Sequence, residues 1–347
     1  MDGMRPVPEE RTTMSTIETK TSRSWQALPE YEPRTELNGK LVAWGDPAFQ
    51  ELWDGWAERF GAFHPGLEFD SFLRGTSTAV GGLYTGVADI GLFGREIRKL
   101  ERTSWKRIFD HQPEGFAIAT GAFDTFAKTV AVAVLTNADN PISELSFEQL
   151  DAIYSAERRR GGAEPVTRWG QLGLTGEWAD APIHTYGLDR DTGTAQHMWL
   201  RVLQEGPWSD RAVLPEGAPT RMYAGSGGHA AEALVTALES DRFGIGLAGF
   251  RNVTPRLKAV AISEDGEAVD GSRETTATRE YPLSRSVYAF VREAPGTEWD
   301  PKVREFMRFV LSREGQAVVA AEGDYLPLPE KVAGPELERL MSLSTPA

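Results

Sequence analysis

The sequence contains no cysteine, which excludes disulfide bonds, thiolate metal sites and a cysteine nucleophile. It also lacks any run of about 18 apolar residues, the length that a membrane-spanning helix requires. Basic residues number 37 and acidic residues 51, and the resulting net charge of −14 argues against a nucleic-acid partner. A small anionic ligand remains compatible with this charge, because backbone dipoles act locally whatever the sign of the overall field.

What the chain contains is typical of a soluble globular protein. Its 347 residues are enough for two domains, and 40% of them are hydrophobic, enough for sizeable cores. Residues 1–37 are polar and rich in Thr, Glu, Arg and Pro, a composition that predicts disorder. They contain no apolar stretch typical of a signal peptide, so a cytoplasmic location and an export signal beyond the given start both stay open.

Short apolar strands alternate with helical patterns in the first hundred residues. Strands are predicted at Leu41–Trp44, at residues 67–73 and at residues 87–93. This alternation predicts an α/β protein with a parallel, doubly wound sheet, whose ligands bind beyond the carboxyl ends of the strands. The polar segments at those ends are Gly45-Asp46, Thr76–Thr78 and Gly94-Arg95.

Similar patterns continue along the rest of the chain. Further strands are predicted at residues 116–119, 129–135, 183–187, 243–248 and 281–291. Ser146-Phe147-Glu148-Gln149 is a capping box that predicts a helix start. Residues 262–279 are polar and predict an exposed hairpin or loop, and a last short helix is predicted at residues 335–343.

Four predicted helices begin with small or capping residues. At the first of them, Asp46 precedes Pro47, which is a well-formed helix start. The others begin at Thr76–Thr78, Thr192–Thr194 and Gly225–Gly228. A helix N-terminus exposes N–H groups without internal partners and therefore accommodates a small oxyanion. One such start is ordinary in an α/β protein, but four that can face one cleft favour anion binding.

The sequence predicts no catalytic residue, cofactor or metal. Its five histidines show no metal-ligand spacing, and neither a Walker sequence nor a G-x-S-x-G nucleophile motif occurs. His197 and His229 lie one turn inside two of the predicted anion-binding helices. They are ligand contacts, an acid–base pair or helix-surface residues, of which the surface interpretation is favoured.

The order of these segments resembles that of phosphate-binding proteins, the substrate-binding components of phosphate ABC transporters. The resemblance runs from about Leu37 to Pro329. The motifs that carry it are Gly75-Thr76-Ser77-Thr78-Ala79, Gly86–Gly91 with Arg95-Glu96, Asn140-Pro141-Ile142, Trp169–Gly173, Thr192-Gly193-Thr194, Tyr281-Pro282-Leu283-Ser284-Arg285, Gly315-Gln316 and Leu326-Pro327-Leu328. Each motif is weak alone, but their combination in this order is specific.

This resemblance implies a type II periplasmic-binding-protein-like fold, in which two doubly wound α/β lobes are joined by two crossing strands and close over the anion. The crossings would be Thr129–Leu135 and Tyr281–Val291. Lobe 1 would comprise residues 38–128 and 286–347, and lobe 2 residues 129–285. The resemblance further implies phosphate or a similar small anion as ligand, an ABC transporter permease as partner, a monomeric state and an extracytoplasmic location.

Carried over by position, the resemblance places the oxyanion contacts in loops of both lobes. The expected contacts are Asp46, Pro47, Ala48, Thr76, Ser77, Thr78, Gly94, Arg95, Arg190, Thr192, Gly193, Thr194, Ser226 and Gly227. The family commonly adds an arginine and a carboxylate. The carboxylate accepts the proton that phosphate carries near neutral pH and that sulfate lacks.

Two positions depart from the family pattern. Leu188 stands where the family usually has an arginine, and Arg190 is the candidate substitute. Gly94 stands where the family usually has serine or aspartate, and Asp46 is the candidate acceptor unless it serves only as a helix cap. These departures leave an alternative open: a relative recruited as an intracellular enzyme or sensor for a phosphorylated or carboxylated metabolite, with His197 or His229 taking part.

Overall fold

The computed structural model of the chain describes residues 24–187, 189–213 and 227–344. The first elements are β1 (Asn38–Gly45), α1 (Gln50–Phe63), β2 (Gly66–Leu73), α2 (Thr76–Thr85), β3 (Ile90–Phe93), α3 (Lys99–Phe109) and β4 (Glu114–Thr120). The middle elements are β5 (Val132–Asn137), β6 (Glu144–Ser146), α4 (Phe147–Tyr154), β7 (His184–Thr185), α5 (Gly193–Arg201), α6 (Gly227–Ser240), β8 (Gly244–Gly249), β9 (Leu257–Ala259), β10 (Ala261–Ser263) and α7 (Arg273–Ala277). The last are β11 (Ser286–Val291), α8 (Pro301–Val310), α9 (Arg313–Glu322) and α10 (Glu330–Leu343).

The first sheet has the strand order β2-β1-β3-β11-β4. Strand β1 pairs in parallel with both β2 and β3, and β11 runs antiparallel to β3 and β4. The carboxyl ends of β1, β2 and β3 therefore lie at one edge of this sheet. The segments that follow these three strands meet there, as the sequence predicts.

A second sheet has the order β7-β8-β5-β9, with β7 parallel to β8 and with β5 antiparallel to β8 and β9. Strands β6 and β10 form a separate parallel pair. The capping box predicted at Ser146 is present, because Ser146 Oγ accepts from Gln149 N and the Gln149 side chain accepts from Ser146 N. The mixed α/β architecture agrees with the fold that the sequence predicts.

Two chain segments connect the sheets and lie side by side. The first crosses from β4 to β5, and the second returns from α7 to β11. Val132 N donates to Leu283 O at 3.0 Å, and Gly121 N donates to Arg285 O at 2.8 Å. The strands within these crossings are shorter than predicted, and they begin at Val132 and Ser286.

Each sheet has its own hydrophobic core. Helices α1, α8 and α9 cover the first sheet, and the core beneath them includes Trp53, Trp56 and Phe306. The indole N–H of Trp56 donates to Gly315 O at 2.9 Å, so even the polar atom of this buried side chain is satisfied. Tyr154 and Trp169 are fully buried in the second core. None of the helices in the described ranges is long and apolar enough to cross a membrane.

For residues 24–37, the described part of the segment 1–37, the structure corrects the prediction of disorder. Within the described part of this segment, Leu28, Tyr31 and Leu37 are buried against the first core. The Tyr31 hydroxyl donates to Glu305 Oε2 at 3.0 Å. The composition of the segment is polar on average, but these three apolar side chains pack residues 24–37 against the core of the first sheet.

Several predicted loops and helices differ from the structure in type or in length. Residues 262–279 contain the end of β10 and helix α7, which Ser272 caps through Thr275 N. Helix α3 was not predicted; its sequence is rich in charged residues, and Trp105 is its only buried residue. The last helix begins at Glu330 and accommodates Pro335 near its start. Leu188 and Ser226 lie outside the described residues.

Candidate functional site

Asp46 follows β1 directly and caps a short 3₁₀ turn at Pro47–Phe49. Its Oδ1 accepts from Ala48 N at 3.0 Å, and its Oδ2 accepts from the Thr76 hydroxyl at 3.0 Å. Lys128 donates to the Ala48 carbonyl at 3.0 Å and so fixes the loop from its other side. The carboxylate of Asp46 is thus both a helix cap and the contact between the first two predicted ligand loops.

Helix α2 begins at Thr76, but its hydroxyl residues do not cap it as expected. The residue before it, Gly75, has φ +134°, a conformation that favours glycine, and no side chain caps the helix. The Thr78 hydroxyl turns back to the Gly75 carbonyl at 2.7 Å, while Ser77 is exposed. Within the described ranges, the N–H groups of Thr76 and Ser77 have no acceptor, which leaves this helix start able to bind an anion.

Gly94, directly after β3, is packed too closely to carry a side chain. A β-carbon at this position would lie 2.9 Å from Thr129 Oγ1 and 3.1 Å from Asp46 Oδ2. The Thr129 hydroxyl also donates to the Gly94 carbonyl at 2.6 Å. The carboxylate of Asp46 therefore stands next to the space that a side chain at position 94 would need.

Arg95 is buried and paired. Its guanidinium forms two hydrogen bonds to the carboxylate of Glu101, at 2.6 and 2.8 Å, and approaches the Ser77 hydroxyl at 3.5 Å. A two-pronged contact of this kind holds the guanidinium plane in one orientation. Arg95 thus lies beside the open N-terminus of α2 with most of its charge compensated by Glu101.

The start of α5 faces these loops from the second sheet. Thr192 caps the helix, and its hydroxyl accepts from Ala195 N at 3.1 Å. The N–H groups of Gly193 and Thr194 have no acceptor among the residues that the structure covers. A β-carbon on Gly193 would lie 3.5 Å from the β-carbon of Arg95, so the Thr-Gly-Thr loop meets the loop after β3.

For two other predicted positions, the described residues show no hydrogen bond or ion pair to this cluster. Arg190 is exposed in the turn before α5. Gly227 is the first residue of α6, and Ser226 before it lies outside the described residues, so the fourth ligand loop stays a prediction.

Arg285 is the site residue that reasoning from the chain order missed. Its side chain is 3% exposed, and its guanidinium lies between the end of β3 and the start of α5. Nη2 donates to Gly94 O at 3.3 Å and would lie 3.0 Å from a β-carbon on Gly193. The only available signal was its place in the Tyr281–Arg285 motif, which does not indicate what the side chain contacts.

His197 is buried, which corrects its interpretation as a helix-surface residue. It lies in α5, and its Nδ1 is 2.7 Å from Glu96 Oε1 in the loop after β3. Burial raises the pKa of Glu96, but the hydrogen bond from His197 and the charges of His197 and Arg285 outweigh burial and hold that pKa at about 2. Burial lowers the pKa of His197 against the raising effect of Glu96. The side chain of His229 lies outside what the structure describes.

Three carboxylates, those of Glu51, Glu322 and Asp324, come close enough together to suggest a metal site. The ammonium group of Lys128 occupies this cluster, at 2.5 Å from Glu322, 3.6 Å from Glu51 and 3.8 Å from Asp324. The cluster is therefore an ion-pair network that holds Lys128 against the Asp46 loop.

Taken together, the cleft offers two open helix N-termini, two buried guanidinium groups and one carboxylate. N–H and guanidinium groups donate to the oxygens of an oxyanion, and the carboxylate of Asp46 can accept a proton that such an anion carries. This set of groups fits non-covalent capture of a small oxyanion.

Comparisons with known proteins agree with this geometry. The family described as "PBP superfamily domain" matches residues 18–314. The chain is 31% identical over 316 residues to the phosphate-binding protein PstS of Pseudomonas aeruginosa, covering 90% of this chain and 91% of that protein.

Two solved structures show the same fold. An ABC-type phosphate transport receptor from Vibrio cholerae has a TM-score of 0.53 at 19% identity and covers 82% of this chain and 99% of its own. PstS from Borrelia burgdorferi has a TM-score of 0.53 at 16% identity, with coverages of 84% and 99%.

Proposed function

This chain belongs to the phosphate-binding proteins of the PBP superfamily, and we propose that it captures inorganic phosphate between its two sheets. The lobes that close would be residues 38–128 with 286–347 and residues 129–285, and the captured ion would be delivered to an ABC transporter permease. The relative from Pseudomonas aeruginosa is named for phosphate binding, and it matches nearly the whole length of this chain.

The observation that carries the proposal is that Arg95 lies close to two open helix N-termini: its Nη2 is 3.5 Å from the Ser77 hydroxyl, and its β-carbon would be 3.5 Å from a β-carbon on Gly193. The N–H groups of Thr76 and Ser77 belong to α2, which packs on the first sheet, and those of Gly193 and Thr194 belong to α5, which packs into the second core. An anion between them would receive hydrogen bonds from both lobes, and it would thus favour the closed state by its differential contacts.

Asp46 would select phosphate over sulfate. Near neutral pH phosphate carries a proton that it can donate to this carboxylate, whereas sulfate carries none and would meet an unpaired negative charge. We therefore propose Asp46–Ala48, Thr76–Thr78, Gly94, Arg95 and Thr192–Thr194 as ligand contacts, with Ser226 and Gly227 as a fourth loop.

Calorimetric titration of the purified protein with phosphate and with sulfate tests this function. We expect micromolar or tighter phosphate binding and at least about 100-fold weaker sulfate binding, which corresponds to about 2.7 kcal/mol. If neither ion binds at millimolar concentration, the phosphate proposal fails.

A double variant tests where the ion binds. Thr76→Ala with Thr194→Ala should abolish phosphate binding, because it removes the hydroxyl that positions Asp46 and a donor at the start of α5. Thr85→Ala is the matched control, since its hydroxyl donates to Gly81 O at the opposite end of α2. Undiminished affinity of the double variant would place the site elsewhere.

The buried histidine gives the enzyme alternative little support. His197 is 3% exposed and its Nδ1 is paired with Glu96 Oε1 at 2.7 Å, so that nitrogen is not available to a bound ion as an acid or base. Binding and release without chemical change is therefore the function that we propose.

A further inference from the structure

The geometry of the site indicates which side chain takes the place of the arginine that the family usually has at position 188. Leu188 leaves no guanidinium directly before the Thr-Gly-Thr loop, and the sequence offers Arg190 nearby. We propose that Arg285 supplies the guanidinium that binds phosphate on the α5 side of the cleft, and that Arg190 does not. This inference rests on the proposed function and identifies the residue that sets its affinity.

Arg285 reaches the cleft from the crossing segment that returns to the first sheet. Its carbonyl accepts from Gly121 N at 2.8 Å, which ties its backbone to the other crossing segment. Its guanidinium extends to the Gly94 carbonyl and to the space beside Gly193. Arg285 therefore contacts both ligand loops, whereas Arg190 is exposed in the turn before α5.

The two buried guanidinium groups differ in how fully they are paired. Arg95 has two short hydrogen bonds to Glu101. Arg285 has one long hydrogen bond, at 3.3 Å to Gly94 O, and its nearest carboxylate oxygen is Glu96 Oε2 at 3.8 Å. Its Nε, although buried, has no hydrogen-bond partner in the described part of the chain.

This difference in pairing points to a ligand. A guanidinium has five N–H donors, and a buried cation is costly unless an anion compensates it. Glu96 is shared with His197, so it compensates Arg285 only in part. Phosphate at the start of α5 would complete the pairing of Arg285, whereas Arg95 has little donor capacity left.

Gly193 is the residue that makes room for this contact. A β-carbon there would lie 3.0 Å from Nη2 and 3.5 Å from Nη1 of Arg285. A side chain at position 193 would crowd the guanidinium, which would have to move by a few tenths of an ångström from its place beside the open N–H groups of α5. The glycine of the Thr-Gly-Thr loop thus serves the approach of Arg285.

Calorimetric titration with inorganic phosphate separates the two arginines. Arg285→Gln should weaken binding about 10- to 100-fold, the loss expected for hydrogen bonds to a charged group. Arg285→Lys should give a smaller but clear loss, because lysine keeps the charge without the planar fork. Arg190→Gln, the matched control, should stay within about threefold of the wild type.

Melting temperatures with and without phosphate distinguish ligand binding from a structural role. We expect Arg285→Lys, which keeps the charge beside Glu96, to keep a melting temperature close to that of the ligand-free wild type. Both Arg285 variants should lose most of the rise in melting temperature that phosphate produces, whatever Arg285→Gln does to the ligand-free protein. Full affinity of Arg285→Lys, or a loss in Arg190→Gln alone, would overturn the inference, even if Arg285→Gln fails to fold. If the wild type does not bind phosphate at all, the proposed function fails first.

Discussion

The Glu96 carboxylate gives the protein a specific sensitivity to acid. Its pKa is about 2 in the folded chain against an ordinary value of 4.5. At about 1.4 kcal/mol per pH unit, this difference corresponds to at most about 3 kcal/mol of folding free energy at pH 7, because His197, whose own pKa is lowered, is largely neutral there and contributes its hydrogen bond but not its charge. Because the folded pKa is the lower one, this stabilisation is fully present above pH 4.5 and disappears as the pH falls toward 2.

Replacing Glu96 with glutamine removes this contribution and leaves the buried guanidinium of Arg285 without its nearest carboxylate. Urea unfolding at a series of pH values should show the variant less stable at pH 7, by up to about 3 kcal/mol. The difference from the wild type should shrink steadily below pH 4.5. The pKa of His197 is also lowered by burial, so the unfolded chain binds a proton at this residue more readily than the folded chain does. Both proteins should therefore lose further stability as the pH falls below about 6.5.

Glu205→Gln is the control for this experiment. Glu205 pairs with Arg102 between the same two parts of the chain, but at 3.6 Å and with both side chains exposed. An exposed pair contributes about 0–1 kcal/mol, so this variant should follow the wild type closely at every pH. If the free energy of unfolding of Glu96→Gln differs from that of the wild type by the same amount at every pH from 7 to 3, the role assigned to Glu96 is wrong.

Two further substitutions test how the Asp46 loop is held. Gly94→Ala should lower the free energy of unfolding by about 1–3 kcal/mol and weaken phosphate binding, because the added β-carbon would press against Thr129 and Asp46. Urea unfolding measures the first effect and calorimetry the second, and the prediction is wrong if neither differs from the wild type. Lys128→Met should lower the free energy of unfolding by about 3–5 kcal/mol, because it removes the ammonium group that lies 2.5 Å from the buried carboxylate of Glu322. A melting temperature equal to that of the wild type would show that this ion pair is dispensable.

Local signals in the sequence predicted much of the fold. The start at Asp46-Pro47 and the capping box at Ser146 form as predicted, because each depends only on neighbours within a few residues. Helix α3 was missed because its sequence is strongly polar on average, although its few apolar residues recur at helical spacing. The burial of Leu28 was missed because composition averages over a segment and does not show which side chains reach a core.

The sequence by itself determined the alternating strands and helices, and with them the edge where Asp46, Thr76 and Gly94 meet. Parallel pairing brings the ends of successive strands together, so the position of these loops follows from chain order. Only the tertiary structure decided which charges complete the site. Arg285 contacts the Gly94 carbonyl across 191 positions of the chain, and Glu96 contacts His197 across 101. Such contacts depend on how the two sheets pack, and no local pattern encodes that packing.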